Sequence, residues 1–156
     1  MSRFTSHLDL RLLEYSDGSP LVRDGLCLWH GTSPLVWEHG RIGSGRFIIV
    51  PAFHPGGLTD RQLRWIAEGK AVAPGVTDLL SIPPEFRWLF SPSGPAAKAG
   101  VLHDYLYKTR GLYGHYSRAE CDAIFHDAMI AVGVPPLQAW TLYQAVRAGG
   151  GRGWGG

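Results

Sequence analysis

The sequence predicts an α+β fold in which a short, β-rich N-terminal half packs on a C-terminal bundle of three helices. Short apolar stretches separated by glycine and proline fill the first fifty residues, a pattern typical of strands joined by turns. Two capping-box patterns and a Pro-Pro pair mark helix starts further along the chain. With 156 residues and 45% hydrophobic content, the chain suits one domain with a buried core.

The strands are expected in the first fifty residues. Leu8, Leu10 and Leu12 alternate with polar neighbours, which predicts an early strand with one wet face. Further short strands are predicted at 26–29, 35–38 and 46–50.

Residues 59–69 are predicted to form a short helix, because Thr-Asp-Arg-Gln at 59–62 fits a capping box. Residues 73–84 follow neither periodicity and indicate a turn-rich connection. The aromatic and apolar residues after it are expected to anchor it to the core: Phe86, Trp88, Leu89 and Phe90.

Three helices are predicted at about 95–110, 117–132 and 136–147. The first is bounded by Pro95 and Gly111, and the second begins at a capping box formed by Ser117 and Glu120. The third follows Pro135-Pro136 and is expected to pack through Leu137, Trp140, Val146 and either Tyr143 or Gln144. Residues 1–148 are therefore interpreted as a single domain, followed by a glycine-rich tail at 149–156, in which Trp154 is expected to be exposed.

The first long helix carries ionisable residues where its pattern is apolar on nearly every face. A charge buried in such a helix is normally paired, metal-bound or neutral, so His103 and Asp104 require partners. Asp122 shares a helical stripe with Phe125 and Met129, and a short loop between the two helices favours antiparallel packing. We therefore expect Asp122 to contact His103 and fix its tautomer, which makes the ring a base. Asp104 points about 100° away on the helix and is expected to be free for a cation.

Composition narrows the class of protein. The formal charge is +2 and the basic residues are dispersed, so no nucleic-acid signature is present. No apolar run is as long as a membrane span, and the first residues lack a signal peptide, which predicts a protein that stays in the cytoplasm where it is made. Cys27 and Cys121 are too few for a disulfide framework.

Two segments carry a resemblance to a known class of enzyme. The stretches 91–107, with His103-Asp104-Tyr-Leu-Tyr107, and 117–125, with Asp122-Ala-Ile-Phe125, resemble the helical core of phospholipase A2-type enzymes. The resemblance implies a phospholipase A2-like helix pair in which His103 is the base and Asp122 orients it. It further implies that Asp104 is a calcium ligand and that Tyr107 braces the pair.

A wider resemblance covers most residues from Phe47 to Arg147. Its elements are Phe-Ile-Ile-Val-Pro at 47–51, Val-Thr-Asp-Leu-Leu-Ser-Ile-Pro at 76–83, the His-Asp-Tyr-Leu-Tyr helix, and residues 117–129. These are similar to a family of small proteins of unknown function common in tailed-phage genomes. The resemblance implies phage or prophage origin and synthesis in a host cytoplasm. In that family the elements at 47–51 and 76–83 usually adjoin, so the helix at 59–69 is expected to be an insertion. A place in the virion, with other phage structural proteins as partners, belongs to one of the hypotheses below.

Three functional hypotheses remain open. In the first, the chain is a hydrolase of esters, lipids included, in which His103 and Asp122 activate water and a divalent cation, with Ca²⁺ favoured, binds Asp104 and Asp78. Asp78 is equally well explained as a local turn cap. In the second, a non-catalytic virion or assembly protein keeps the His-Asp-Asp network as a core element, which the lack of a recognisable glycine-rich calcium loop favours.

The third hypothesis is a metal phosphohydrolase of the HD type. It requires His30 or His54 to join His103 and Asp104 at a metal. His126 lies one turn beyond Asp122, which suits either a further metal ligand or a partner for the helix dipole.

Overall fold

The computed structural model describes residues 2–78, 85–86 and 94–154. Within these ranges the N-terminal half holds eight short strands: β1 Arg3–Phe4, β2 Leu10–Leu12, β3 Val22–Arg23, β4 Leu26–Cys27, β5 Trp29–Gly31, β6 Leu35–Glu38, β7 Phe47–Val50 and β8 Val76–Thr77. The helices are α1 Asp60–Ala67, α2 Ala97–Lys108, α3 Arg110–Gly114, α4 Arg118–Ala131 and α5 Pro136–Gly149, followed by a 3-10 helix, Gly150–Gly153. The α+β class is therefore confirmed.

The strands form three small antiparallel sheets, in the orders β1-β6-β7, β2-β5-β8 and β3-β4. Successive side chains of β7 point to opposite faces of the sheet, so Ile48 and Val50 are buried, whereas Phe47 and Ile49 face outward. The buried side of β7 packs on the main core, which the helices share. The predicted strand at 26–29 is divided between β4 and β5.

A second apolar cluster lies under α1. Thr59 and Gln62 form both bonds of the predicted capping box, and Leu63, Ile66 and Ala67 make the buried stripe of α1. That stripe packs with apolar residues from the strands and turns: Leu13, Leu21, Leu28 and Val76. The interpretation of residues 73–84 as a turn-rich connection is corrected at Val76–Thr77, which forms β8 and pairs with β5. Residues 79–84 of that connection lie outside the described residues.

The helix pair expected to carry the site lies close to its predicted positions. Ser117 and Glu120 make the capping box that starts α4. Helix α2 buries nearly all of its residues, His103 and Asp104 included, as its apolar sequence predicts. Phe86 packs against the main core as expected, whereas Trp88, Leu89 and Phe90 lie outside the described residues.

The packing face predicted for the last helix is confirmed at Val146 and, by its contact with His126, at Tyr143, but it is wrong at Leu137 and Trp140. Leu137 is 76% exposed and Trp140 is 55% exposed. The buried stripe of α5 consists of Ala139, Leu142, Ala145 and Val146. Small alanine side chains let α5 approach α4 closely, so the stripe follows residue size as well as hydrophobicity.

The turn between α2 and α4 has an unusual backbone. Arg110, Gly111, Leu112, Tyr113 and Gly114 all have positive φ angles, so α3 is a left-handed turn. Each non-glycine residue in this region costs about 1–2 kcal/mol relative to its ordinary conformation. The turn is closed by a bond from the Tyr116 backbone N–H to the Gly111 carbonyl at 2.9 Å. It reverses the chain so that α4 runs back along α2.

No helix within the described ranges combines the length and apolar character needed to cross a membrane.

Candidate functional site: a buried His-Asp-Tyr network

The predicted contact between His103 on α2 and Asp122 on α4 is present. His103 Nε2 lies 2.8 Å from Asp122 Oδ1, and the two side chains are 1% and 0% exposed. A carboxylate only accepts hydrogen bonds, so Nε2 carries the proton and Nδ1 bears the lone pair of the neutral ring. Phe125, one turn from Asp122, packs its ring 4.5 Å from the His103 ring. The imidazole is therefore fixed in orientation and tautomer.

Tyr107 joins the same carboxylate, as its predicted bracing role requires. Its hydroxyl donates to Asp122 Oδ1 at 2.6 Å, and its ring lies 4.2 Å from that of His103, one turn earlier on α2. The Arg118 Nε atom donates to the Tyr107 hydroxyl at 3.1 Å. Two positions of α2 thus converge on one oxygen of Asp122, and Arg118 supports the second of them.

Two arginines in this network were missed by sequence reasoning. Arg147 Nη1 donates to Asp122 Oδ2 at 2.7 Å. Arg118 Nη2 donates to the carbonyls of Val146 and Arg147, which ties the start of α4 to the end of α5. Arg118 lies one helical turn before Asp122, and this spacing was the signal available in the sequence. No motif marks Arg147, because its long side chain reaches the site from the end of another helix.

The network favours the ionised form of Asp122. Burial alone raises the pKa of this carboxyl, but the hydrogen bonds from His103, Tyr107 and Arg147 outweigh burial and hold its pKa below the usual value. Burial and the bond to Asp122 raise the pKa of Tyr107, which remains a hydroxyl donor. Hydrogen bonding to Asp122 also raises the pKa of Arg147. The site therefore contains a negative charge stabilised by three neighbouring groups.

Asp104 is not free for a cation, contrary to expectation. Its Oδ2 atom lies 2.8 Å from Lys108 Nζ, one helical turn later, and Lys108 also donates to the Val76 carbonyl at 2.8 Å. Among the described residues, no group of three or more histidine, cysteine, aspartate or glutamate side chains is placed to hold a metal ion. Asp78 is partly buried beside β8, and residues 91–93, which occupy the place of a calcium loop in sequence, lie outside the described ranges.

The other candidate residues lie apart from this network. His30 and His54 line a cleft near β2 and β5 that neither His103 nor Asp104 lines. His126 contacts Tyr143 edge to face at 5.6 Å. Cys121 is fully buried, and burial raises the pKa of its thiol to about 12, which suits a packed residue rather than a nucleophile.

The C-terminal tail packs against the network, and Trp154 is not exposed as expected. The Trp154 ring contacts Tyr107 edge to face at 5.2 Å. A Cβ atom on Gly150 would lie 2.9 Å from the Tyr107 hydroxyl, closer than ordinary contact allows. The glycine content of the tail is therefore explained in part by its close approach to Tyr107.

Gly150→Ala is expected to displace the tail and lower the free energy of unfolding by about 1–3 kcal/mol, because the added methyl group overpacks a fixed hydroxyl. Gly151→Ala is the matched control, since its Cβ would have its nearest neighbour at 3.6 Å. Denaturant unfolding and hydrogen exchange of residues 150–154 measure both effects. Equal behaviour of the two variants would contradict the close-approach explanation.

These observations define a class of protein: a small α+β protein whose helix hairpin buries a His-Asp-Tyr network braced by arginines. A family model matches residues 66–146, from α1 to α5, so the chain belongs to the family described as protein of unknown function (DUF1353). The match includes every residue of the network except Arg147. Neither a curated protein nor a solved structure matches the chain.

Proposed function

We propose that this protein is a hydrolase of ester bonds in which His103 is the general base. The observation that supports the proposal most directly is the 2.8 Å contact between His103 Nε2 and Asp122. A carboxylate in that position orients the ring and stabilises the imidazolium formed when Nδ1 takes a proton. The resemblance of the helix pair to phospholipase A2-type enzymes favours an ester of lipid type as the substrate.

The proposed reaction needs no covalent intermediate on the protein. His103 Nδ1 removes a proton from water while the water oxygen forms a bond to the ester carbonyl carbon. The imidazolium then returns the proton to the alkoxide oxygen as the ester C–O bond breaks. Asp122 and Tyr107 act as positioning residues, because they touch the ring and its carboxylate partner rather than the substrate.

Access to His103 is the physical requirement of this reaction. The side chain is 1% exposed, so water and substrate reach Nδ1 only after part of the surrounding chain moves. The tail at 150–154 is one element that covers the network, through Trp154 on Tyr107. Activity is therefore expected to depend on opening motions as well as on chemistry.

The proposal of a divalent cation on Asp104 and Asp78 rests on the same resemblance. The side chain of Lys108 supplies a positive charge to Asp104 in the described structure, so a cation at that carboxylate has to displace the ammonium group. No step of the proposed reaction is assigned to the ion. Origin in a phage, with a place in the host cytoplasm or virion, is likewise proposed from the sequence resemblance.

The proposal predicts that His103→Asn lowers ester hydrolysis by about a hundredfold or more, because the base is lost. The measurement uses phospholipid vesicles and a soluble model ester, with and without calcium, and circular dichroism to verify folding. His115→Asn is the matched control, since His115 is exposed. Asp104→Asn is expected to reduce only calcium-dependent activity and calcium affinity.

Absence of turnover by the folded wild-type protein on both ester types, with and without calcium, would reject the hydrolase. Turnover that His103→Asn leaves unchanged would reject His103 as the base.

A non-catalytic assembly protein is the second candidate, and one observation favours it specifically. Both oxygens of Asp122, on α4, are occupied by donors from α2 and α5, which is the arrangement of a core network that specifies one packing of the three helices. On this proposal the protein acts through contacts with other phage proteins. His103→Asn then changes stability, and ester hydrolysis is absent from the wild-type protein.

A further inference from the structure

A cleft of about 630 Å³ lies beside β2 and β5 and is lined by residues separate from the His103 network. Its polar lining comes mainly from Arg11, Glu14, His30, Thr32 and His54. Its volume lies within the range typical of small-molecule sites.

Backbone pairing brings the basic side chains together. Arg11 on β2 lies directly opposite His30 on β5, so both side chains leave the sheet on the same face. The backbone N–H of Phe53 donates to the Gly31 carbonyl at 2.9 Å, which fixes the segment carrying His54 beside β5. Three basic side chains therefore converge from two strands and one loop.

The buried histidine has a fixed tautomer. His30 is 5% exposed, and its Nδ1 lies 2.8 Å from the Phe53 carbonyl oxygen. A carbonyl oxygen only accepts, so Nδ1 carries the proton, and the neutral ring offers Nε2 as a hydrogen-bond acceptor. The Nε2 atom is thus available to accept a hydrogen bond from a ligand at the inner end of the basic cleft.

The other two basic residues of the cleft, Arg11 and His54, favour a ligand group that accepts hydrogen bonds and carries negative charge. Within the described part of the chain, Arg11 and His54 form no ion pair, and Glu14 is the one acid that lines the cleft. A guanidinium group donates in a planar fork that matches the oxygens of a phosphate or carboxylate. The cleft therefore requires a ligand with negative oxygens at one side and a proton donor at the other.

We propose that this cleft binds a singly protonated phosphate group, either as inorganic phosphate or as the end of a phosphomonoester. The anionic oxygens accept hydrogen bonds from Arg11 and His54, and the P–OH group donates to His30 Nε2. Sulfate has the same shape and lacks the proton at neutral pH, so it leaves Nε2 facing an anionic oxygen. The site therefore discriminates phosphate from sulfate by one hydrogen bond.

Calorimetric titration of the full chain with inorganic phosphate, glycerol phosphate and sulfate tests the proposal. We expect phosphate to bind at least about tenfold more tightly than sulfate, because a site built around a proton donor rejects the analogue that lacks it. Tighter binding of glycerol phosphate than of inorganic phosphate identifies a phosphomonoester as the ligand, and the reverse order identifies the free ion. Absence of binding by both phosphate ligands at millimolar concentration overturns the proposal.

Two arginine variants distinguish binding in the cleft from nonspecific electrostatic attraction to the protein surface. Arg11→Gln is expected to weaken phosphate binding about tenfold or more, because it removes the charged fork. Arg41→Gln, at an exposed arginine that does not line the cleft, is expected to leave binding unchanged. Equal losses in the two variants would reject the cleft as the site.

His30→Phe tests whether Nε2 of His30 accepts the phosphate proton, and Glu14→Gln tests the effect of the negative charge of Glu14 on anion binding. His30→Phe is expected to abolish the preference for phosphate over sulfate, and Glu14→Gln to strengthen binding of both ions. Because Phe leaves the Phe53 carbonyl without its ring partner, circular dichroism must verify that the variant folds. If it does not fold, two other results still decide the proposal. They are the preference of the wild-type protein for phosphate over sulfate and the loss of phosphate affinity in Arg11→Gln.

Discussion

Asp122→Ala is expected to lower the free energy of unfolding by about 3–5 kcal/mol, the cost typical of removing one partner from a buried ionic network. Asp122 is fully buried and accepts from His103, Tyr107 and Arg147. Alanine leaves the Tyr107 hydroxyl and the His103 N–H without their acceptor inside the core. Since domains of this size are stable by only about 5–15 kcal/mol, the loss is a large part of the total.

Urea unfolding measured by circular dichroism provides the test, with Asp127→Ala as the matched control. Asp127 lies on the same helix but is exposed, so its replacement is expected to change the free energy by no more than about 0.5 kcal/mol. A loss below about 1 kcal/mol in Asp122→Ala would mean that the carboxylate is not the centre of the network.

The same carboxylate predicts how stability depends on pH. Its pKa in the folded protein is lowered, so the unfolded chain binds the proton more readily. The stabilisation is therefore complete above the unfolded pKa of about 3.9 and is lost as pH falls through the lower folded value. The difference in unfolding free energy between the wild-type protein and Asp122→Asn is expected to narrow below about pH 4. A constant difference across this range would contradict the proposed ionisation.

The centre of the network was predictable because each local signal agreed with the others. An apolar helix bearing His103, a capping box at Ser117 and a short connection together predict an antiparallel hairpin with Asp122 against the ring. The structure has that contact. Sequence reasoning succeeds here because the polar residues are costly to bury singly, which leaves few arrangements.

The partners of the acidic groups were less predictable. Lys108 follows Asp104 by four residues, a spacing that favours an ion pair on a helix, so this signal was available in the sequence. Arg147 had no such signal, because its position relative to Asp122 depends on how α5 packs across α4. Arg118 lies four residues before Asp122 on α4, but it donates to the Tyr107 hydroxyl rather than to the carboxylate, a partner that helical spacing alone does not identify. That packing uses small residues such as Ala139, whereas a pattern based on hydrophobicity selects Leu137 and Trp140.

Gly111→Ala is expected to be the most damaging substitution in the loop that brings Asp122 to His103. The backbone at Gly111 has φ 69°, and an added Cβ would lie 1.8 Å from the Tyr116 carbonyl oxygen. This oxygen belongs to the main chain, so no change of side-chain rotamer relieves the clash. The left-handed turn has to open, which separates the start of α4 from the end of α2.

The expected loss of unfolding free energy in Gly111→Ala has two contributions, and a control variant separates them. A left-handed conformation costs a non-glycine residue about 1–2 kcal/mol, and the backbone clash adds to it. Gly114→Ala carries the first cost alone, because Gly114 has φ 99° and no atom within 4 Å of an added Cβ. We therefore expect Gly111→Ala to lose clearly more stability than Gly114→Ala, as measured by urea unfolding.

The same pair of variants links the turn to the network. Opening the turn at Gly111 moves Asp122 relative to His103, so the hydrogen-bonded ring N–H is expected to lose its protection from exchange in Gly111→Ala and to keep it in Gly114→Ala. Nuclear magnetic resonance of the His103 ring measures this directly. If both variants keep the protected proton and equal stability, the alignment of α2 and α4 is set by core packing alone. In that case the close approach of Gly111 to Tyr116 is not what positions the carboxylate.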